Sequence, residues 1–441
     1  MKKIGMIIAL ITVCSACNKF LDVKPKGVVI PEKLADFEGI LNSQTMISSF
    51  PTALLYCTDD YFGVYNLQER SIPANAYYWR PDIDVDDQAS PAIWGGGYQI
   101  VYRANIIINN VMNAAESNEQ RRKQILGEGL AARAEIYFTM LTAFAKAYNP
   151  ATAKQDPGLP IVTATNVTEQ IPPRASLQDT LDSLVHDLTL AIPMLPEENI
   201  NTYRCTKYAA SGMLSRIYLY MGNYADADRF ADSALKAKHA LLDYNKFPNW
   251  LDLPATDFNP EILWQRASME YVILGDMLYS DTLKTFFQEG DLRYTLQTSQ
   301  SGGGTTRADP VGFGNYGITF PELYLTRAEV AARKGNIPVA MNLVNMIRKA
   351  RFKTDSYHPL TAVTQEEALD IVLAERRREL AYSGQRWTDM KRLDRDGRMP
   401  AIKRINKETG AVISVLEPNS RLYTFQIPAR VRKFNPGMVI N

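Results

Sequence analysis

Two stretches, MLSRIYLYMGNYADADRFADSA (213–234) and LTRAEVAARKGNIPVAMNLVNMI (325–347), are written to one plan. Each opens on an apolar helical face: Met213, Leu214, Ile217 and Met221 in the first, Leu325, Ala328 and Ala332 in the second. Each then meets a Gly-Asn pair, Gly222-Asn223 or Gly335-Asn336. Small or apolar residues follow at helical spacing, Ala227, Ala231 and Ala234 in one case and Ala340, Val344 and Ile347 in the other. Glycine supplies the left-handed backbone that ends a helix, and alanine at a crossing lets two helices approach closely. Tetratricopeptide-type hairpins are written this way, although the full repeat consensus is absent. The expected fold class is mainly α, a tetratricopeptide-like helical-repeat scaffold with long irregular loops and a few short strands.

Further out, Leu130, Ala134, Tyr137, Phe138, Leu141, Ala145 and Tyr148 share one helical face, and Asn149-Pro150 is the expected stop. A second face, Leu177 to Ile192, opens on Ser176 with Asp179 in a capping arrangement and ends at Pro193 and Pro196. Residues 18–95 are irregular and rich in Pro, Asp and aromatics. Residues 241–320 lose the periodicity again, with Pro248, Pro254, Pro260, a Gly302-Gly303-Gly304 run and the aromatics Trp250, Trp264, Tyr271 and Tyr279. Long irregular segments on a helical scaffold are where binding elements are expected.

The beginning of the chain reads MKKIGMIIALITVCSAC. Lys2 and Lys3 precede an apolar run from Ile4 to Val13. Such a run spans roughly 15 Å as a helix, about half a bilayer's hydrocarbon, so it reads as a leader and not as a membrane span. Ser15-Ala16-Cys17 resembles a bacterial lipobox, in which the Cys thiol is acylated, with Cys14 where that motif usually has Leu. The expectation is an exported chain, cleaved after residue 16 and tethered by a lipid on Cys17. Cys57 and Cys205 remain, as a disulfide or as two buried thiols.

Lys+Arg 49 against Asp+Glu 48 leaves a net charge of +1, which gives no global field for nucleic acid. Three His (His186, His239, His358) lack metal-ligand spacing with each other or with Cys. Gly312, Gly314 and Gly317 match a dinucleotide spacing, but no apolar strand precedes them and Pro321 is the better helix start, so they read as a loop. Asp82, Asp84 and Asp86 alternate like calcium ligands, yet Asp87 and Ile93 stand where an EF-hand needs Gly and Glu. No cofactor is expected, and a calcium site of another kind stays open. The Asp59-Asp60 pair carries no catalytic signal by spacing. The run Glu375-Arg376-Arg377-Arg378-Glu379, with Arg386 and Asp389 beyond it, is self-neutralising, and ion pairs within and between helices account for it.

That run leads into ELAYSGQRWTDMKRLDR (379–395), which resembles the pattern E-L-x-F-E-G-x-R-W-x-D-L-x-R of the SusD/RagB-like outer-membrane lipoproteins. Tyr382 stands for the Phe, and Ser383 departs from the usual Glu. Trp94, Tyr98, Tyr102, Arg103, Ala104 and Asn105 resemble that family's W-x3-Y-x3-Y-R-A-N segment. Tyr324–Arg351 looks like its helix pair before the signature, and Ile427-Pro428 with Asn435-Pro436-Gly437 resembles its closing motif.

The resemblance implies about four helix pairs and a non-enzymatic lipoprotein on the outer face of the outer membrane. It implies a partner, a SusC-like TonB-dependent transporter, and a glycan ligand (in some members a peptide). Arg386, Trp387 and Asp389 look structural in that picture. The expected organisation is a leader (1–16), an N-terminal SusD-like region (17–240), a variable insertion (241–320) and a C-terminal SusD-like helical region (321–441). A helical-repeat assembly lipoprotein without a small ligand is the competing reading.

A sugar ring offers an apolar C–H face and a hydroxyl rim, so its receptor pairs an exposed aromatic with amides, carboxylates or Arg. The stretch Tyr77-Tyr78-Trp79-Arg80-Pro81-Asp82 offers that combination. Trp79 is the expected platform, with Tyr78, Arg80 and Asp82 beside it and Tyr65, Asn66, Trp250 and Tyr279 as further candidates. Trp94 belongs to the scaffold segment and Trp264 to a buried-looking strand.

Overall fold

The computed structural model describes residues 31–166, 171–270, 277–301, 304–307 and 314–441. The leader, Cys17, Tyr271 and Gly312 lie outside them.

After a short α1 (Leu34–Leu41), the described residues hold eight helices of eleven residues or more, enough for four pairs: α2 (Ala92–Asn110), α3 (Glu119–Phe144), α4 (Leu177–Ala191), α5 (Lys207–Met221), α6 (Tyr224–Ala234), α7 (Phe320–Arg333), α8 (Ile337–Arg351) and α9 (Gln365–Glu379). They pack in series, α2 on α3, α3 on α4 and so on to α7, which α8 and α9 both join. α10 (Arg386–Arg395) and a short α11 (Ala429–Phe434) close the chain.

Both Gly-Asn pairs do two jobs. Gly222 and Gly335 take left-handed backbone (φ 79° and 76°). The Asn after each donates its backbone N–H to the carbonyl five residues back, the bond that closes a Schellman motif, Asn223 to Tyr218 and Asn336 to Ala331. The same Asn then caps the next helix, its side chain accepting from Asp226 N in one case and Val339 N in the other. The residues at helical spacing beyond them are fully buried: Ala227, Ala231, Ala234, Ala340, Val344 and Ile347 are all 0% exposed.

α3 stops five residues before Asn149, at Phe144, where Ala145 turns extended. The reason is tertiary. Lys391, on α10, is fully buried and its Nζ donates to the carbonyls of Thr142 and Ala145, capping the α3 C-terminus with a cation. The Trp387 indole N–H donates to the same Thr142 carbonyl (3.2 Å).

Strands are short, and those that bear on the site are β1 (Tyr61–Phe62), β2 (Ile262–Trp264), β3 (Leu278–Tyr279), β4 (Thr298–Ser301), β5 (Gly304–Arg307), β6 (Ile318–Thr319) and the hairpin β7 (Ile402–Ile405) and β8 (Val412–Leu416). β1, β3, β5 and β4 form one small sheet, and β6 pairs antiparallel with β2. Gly317 is required there by close approach: a Cβ on it would lie 1.7 Å from the Trp264 carbonyl oxygen. α7 starts just beyond, capped by Thr319 with Pro321 in its first turn. Cys57 and Cys205 are both buried free thiols.

Candidate functional site

The loops are held by buried ion pairs that converge on the signature helices. Arg386 grips Asp59 with two bonds (2.6 and 2.7 Å), and Arg377 reaches Asp60 (2.7 Å), so residues 59–60 are locked to the C-terminal helices. Burial pushes the Asp59 carboxyl up, but Arg386 and Arg377 outweigh it and hold the group well below the usual carboxylate range. Asp389 bridges Arg376 and Arg392; burial opposes its charge, and the two guanidiniums still bring it down to about 2. Arg392 also grips Glu329 of α7. The charged run is thus spent on internal pairs, and Arg386, Trp387 and Asp389 hold scaffold.

Next to this lock sits a tyrosine cluster. Tyr61 packs against Tyr56, Tyr65 and Tyr77 at centroid distances of 5.1, 6.5 and 5.7 Å. Strand β1 also brings Tyr61 opposite Tyr279. Five of the expected site residues gather around the cluster, but mostly as core. Trp79 is 1% exposed, its indole N–H donates to the Cys57 carbonyl (2.8 Å), and Arg404 lies 4.4 Å over its ring. It takes left-handed backbone (φ 54°), a conformation that costs a non-glycine residue energy and that the packing around its ring offsets. An exposed platform at Trp79 is therefore corrected: a large ring on strained backbone gains more from burial than from water.

Tyr78 (5% exposed) and Tyr279 (2%) are buried as well, Tyr78 with its hydroxyl donating to the Tyr65 carbonyl and Tyr279 stacked on Tyr382. Arg80 is half-buried and turns inward, donating to Asn75 Oδ1 and to the carbonyls of Leu67 and Glu69, so it pins the exposed 66–70 loop that contains Asn66. Tyr65 is half-buried in the cluster. Asp82 is exposed and leaves the group, pairing with Arg432 of α11 (2.8 Å), while Asp87 pairs with Lys433. Asp84 and Asp86 accept backbone N–H groups. Among the described residues no three His, Cys, Asp or Glu side chains converge to hold a metal ion.

A polar cavity lies elsewhere, under the irregular 241–320 stretch. About 350 Å³ in volume, it is lined by Gln44, Tyr203, Thr256, Asp257, Gln265 and Arg266, among others. Its polar groups are pre-set. Gln265 Nε2 donates to the Tyr203 hydroxyl (2.9 Å), and Gln265 Oε1 accepts from Thr202 (2.6 Å). Arg266 donates to the Tyr203 carbonyl (3.2 Å) and sits 3.8 Å over the buried Trp264 ring. Burial, and then the neighbouring Asp257 carboxylate, raise the Tyr203 phenol. The turn that contributes Asp257 ends on Phe258, an 81% exposed residue. A smaller cavity of about 140 Å³ shares Thr256 and Gly314 with it and reaches Asn259 and Glu261. Trp250, half-buried in its own capped turn, lines neither.

Tyr203, Asp257, Phe258, Gln265 and Arg266 were not legible as a site in the sequence. The one local signal was Asp257-Phe258-Asn259 between Pro254 and Pro260, an aromatic flanked by polar groups in a turn-rich segment.

A helical-repeat scaffold with loops locked by buried arginines and a polar cavity under a long insertion defines the class of protein. Two family models match it. One, described as "Starch-binding associating with outer membrane", covers residues 19–219; the other, described as "SusD family", covers 315–441. The chain belongs to the SusD/RagB-like family. SusD-like protein P25 of Formosa agariphila is 23% identical over 296 residues, 60% of this chain but only 51% of that relative. SusD-like protein P38 of the same organism is 20% identical over 88% of this chain and 90% of its own length. Among solved structures, a SusD superfamily protein from Bacteroides thetaiotaomicron superposes with a TM-score of 0.76 at 20% identity, covering 93% of this chain and 99% of that one. A laminarin-binding SusD-like protein superposes at 0.67 with 17% identity, covering 92% and 98%.

Proposed function

We propose that this protein is a non-enzymatic surface receptor that captures glycans and passes them to a SusC-like TonB-dependent transporter. A lipid on Cys17 would hold it on the exterior of the outer membrane. The observation that carries the reading is the cavity at Tyr203, Asp257 and Gln265, with the exposed Phe258 next to Asp257 in the same turn. Hydroxyl, carboxylate and amide groups can pair with a sugar's hydroxyl rim, and an exposed ring can take its C–H face. The size falls within the range of small-ligand pockets, roughly 300–1,000 Å³. Membership of a family described as starch-binding supports the ligand class, and the laminarin-binding neighbour is compatible with it. Tethering beside a transporter raises local concentration, so modest affinity suffices.

The test is calorimetric titration of the purified protein with a panel of neutral polysaccharides and peptides, alongside Phe258→Ala and Asp257→Asn. Glycan binding weakened by both substitutions is the expected result. Binding of peptides alone would move the ligand class, and pull-down without a β-barrel partner from the native membrane would remove the transporter.

A further inference from the structure

A second concavity, of about 570 Å³, lies between β1, the 280–286 segment, α9 and the β7–β8 hairpin, away from the cavity above. Its charge is lopsided: six basic side chains line it against three carboxylates. Several of the bases are already committed. Arg377 and Arg386 are held by Asp59 and Asp60, and Arg398 by Glu366 and Asp370. Arg404 is buried and donates to the carbonyls of Tyr77, Tyr61 and Thr58.

Lys403 and Lys407 remain at the mouth. Strand alternation puts Lys403 and Ile405 on the exposed face of β7, opposite the buried Arg404, and Lys407 follows two residues on. The Lys407 ammonium sits 4.0 Å over the half-buried Phe62 ring. Its carboxylate neighbour, Asp281, is 3.5 Å away, and both side chains are substantially exposed, at 48% and 73%. Such an exposed pair is weak and readily exchanged for another anion. The four arginines are offset by Asp59, Asp60, Glu366 and Asp370, so the charge available to an incoming anion is that of Lys403 and Lys407 themselves.

The geometry points to a second glycan subsite, selective for carboxylate-bearing sugars: Lys403 and Lys407 take the carboxylate, and Phe62 with the Thr282 hydroxyl contacts the ring beside it. This rests on the glycan-binding reading above. It differs in place and in charge, since the first cavity presents Asp257 and a buried Arg266 and suits neutral sugars.

The experiment titrates an oligogalacturonide and a neutral malto-oligosaccharide of equal length into the full protein, into Lys403→Gln/Lys407→Gln and into Lys403→Arg/Lys407→Arg. The oligogalacturonide is expected to bind the native protein and the Arg variant. It is expected to bind the Gln variant about tenfold more weakly and to lose affinity as salt rises. Phe258→Ala should leave it unchanged. Equal oligogalacturonide affinity in native and Gln proteins, or neutral binding without any oligogalacturonide binding, overturns this inference alone. If no glycan of either kind binds, the reading under Proposed function falls together with it.

Discussion

Replacing Lys391 with Met should change how stability depends on pH, and by an amount the structure lets one work out. The ammonium is fully buried and capped onto the Thr142 and Ala145 carbonyls. Burial pulls the group from its ordinary 10.5 down to about 7. A base whose folded pKa is depressed binds its proton more readily when unfolded, so stability rises with pH between about 7 and 10.5. From pH 6 to pH 9 this lysine alone improves the native protein's stability by roughly 3 kcal/mol. The methionine lacks that slope. It also removes one donor from each of two buried carbonyls. The Trp387 indole still serves Thr142 and the Thr424 hydroxyl still serves Ala145, so the loss at pH 9 stays near about 1–3 kcal/mol. At pH 6, where the native protein holds a charged lysine in its core, the variant should match or exceed it. Urea unfolding of both proteins at pH 6, 7.5 and 9 measures this. Parallel stability–pH profiles for the two would refute the reasoning, because the buried Cys and Tyr groups that titrate higher are common to both.

Two further substitutions test the packing. Arg386→Ala strips Asp59 of its two-bond partner in a buried setting and should cost about 3–5 kcal/mol in chemical denaturation; a cost under 1 kcal/mol would mean the lock does not bind the loops to the helices. Trp79→Ala opens a core cavity and gives up the indole bond to Cys57, lowering stability by about 3–5 kcal/mol while glycan affinity stays within about twofold. A large loss of affinity with the melting temperature unmoved would return Trp79 to the ligand surface.

The scaffold was legible because its signals are local. Gly222-Asn223 and Gly335-Asn336 carry both the end of one helix and the cap of the next within two residues, and the alanines beyond them sit at a period that only a helix uses. The charged run at 375–389 was legible as self-neutralising, but most of its partners, Asp59, Asp60, Arg293 and Arg348, come from distant parts of the chain. Exposure was not legible. Trp79 and Tyr279 have the composition of a ligand platform, and nothing within the sequence neighbourhood says that Cys57, 22 residues back, and Arg404, far along the chain, will cover the one or that Tyr382 will stack on the other. Lys391 hid in the same way, written inside Lys391-Arg392-Leu393-Asp394-Arg395 like any surface lysine, while its role comes from the end of a helix 249 residues earlier. The cavity draws Gln44, Tyr203, Asp257 and Gln265 from three separate parts of the chain, so no spacing could announce it.

The central claim, a glycan receptor whose site lies under the 241–320 stretch, is tested most directly by one titration series. A panel of neutral oligosaccharides is run against the native protein and Phe258→Ala, with circular dichroism confirming that the exposed substitution leaves the fold intact. The account predicts that at least one glycan binds the native protein and that its affinity falls about fivefold or more without the ring. Binding that is indifferent to Phe258→Ala, or a panel in which nothing binds, would contradict it.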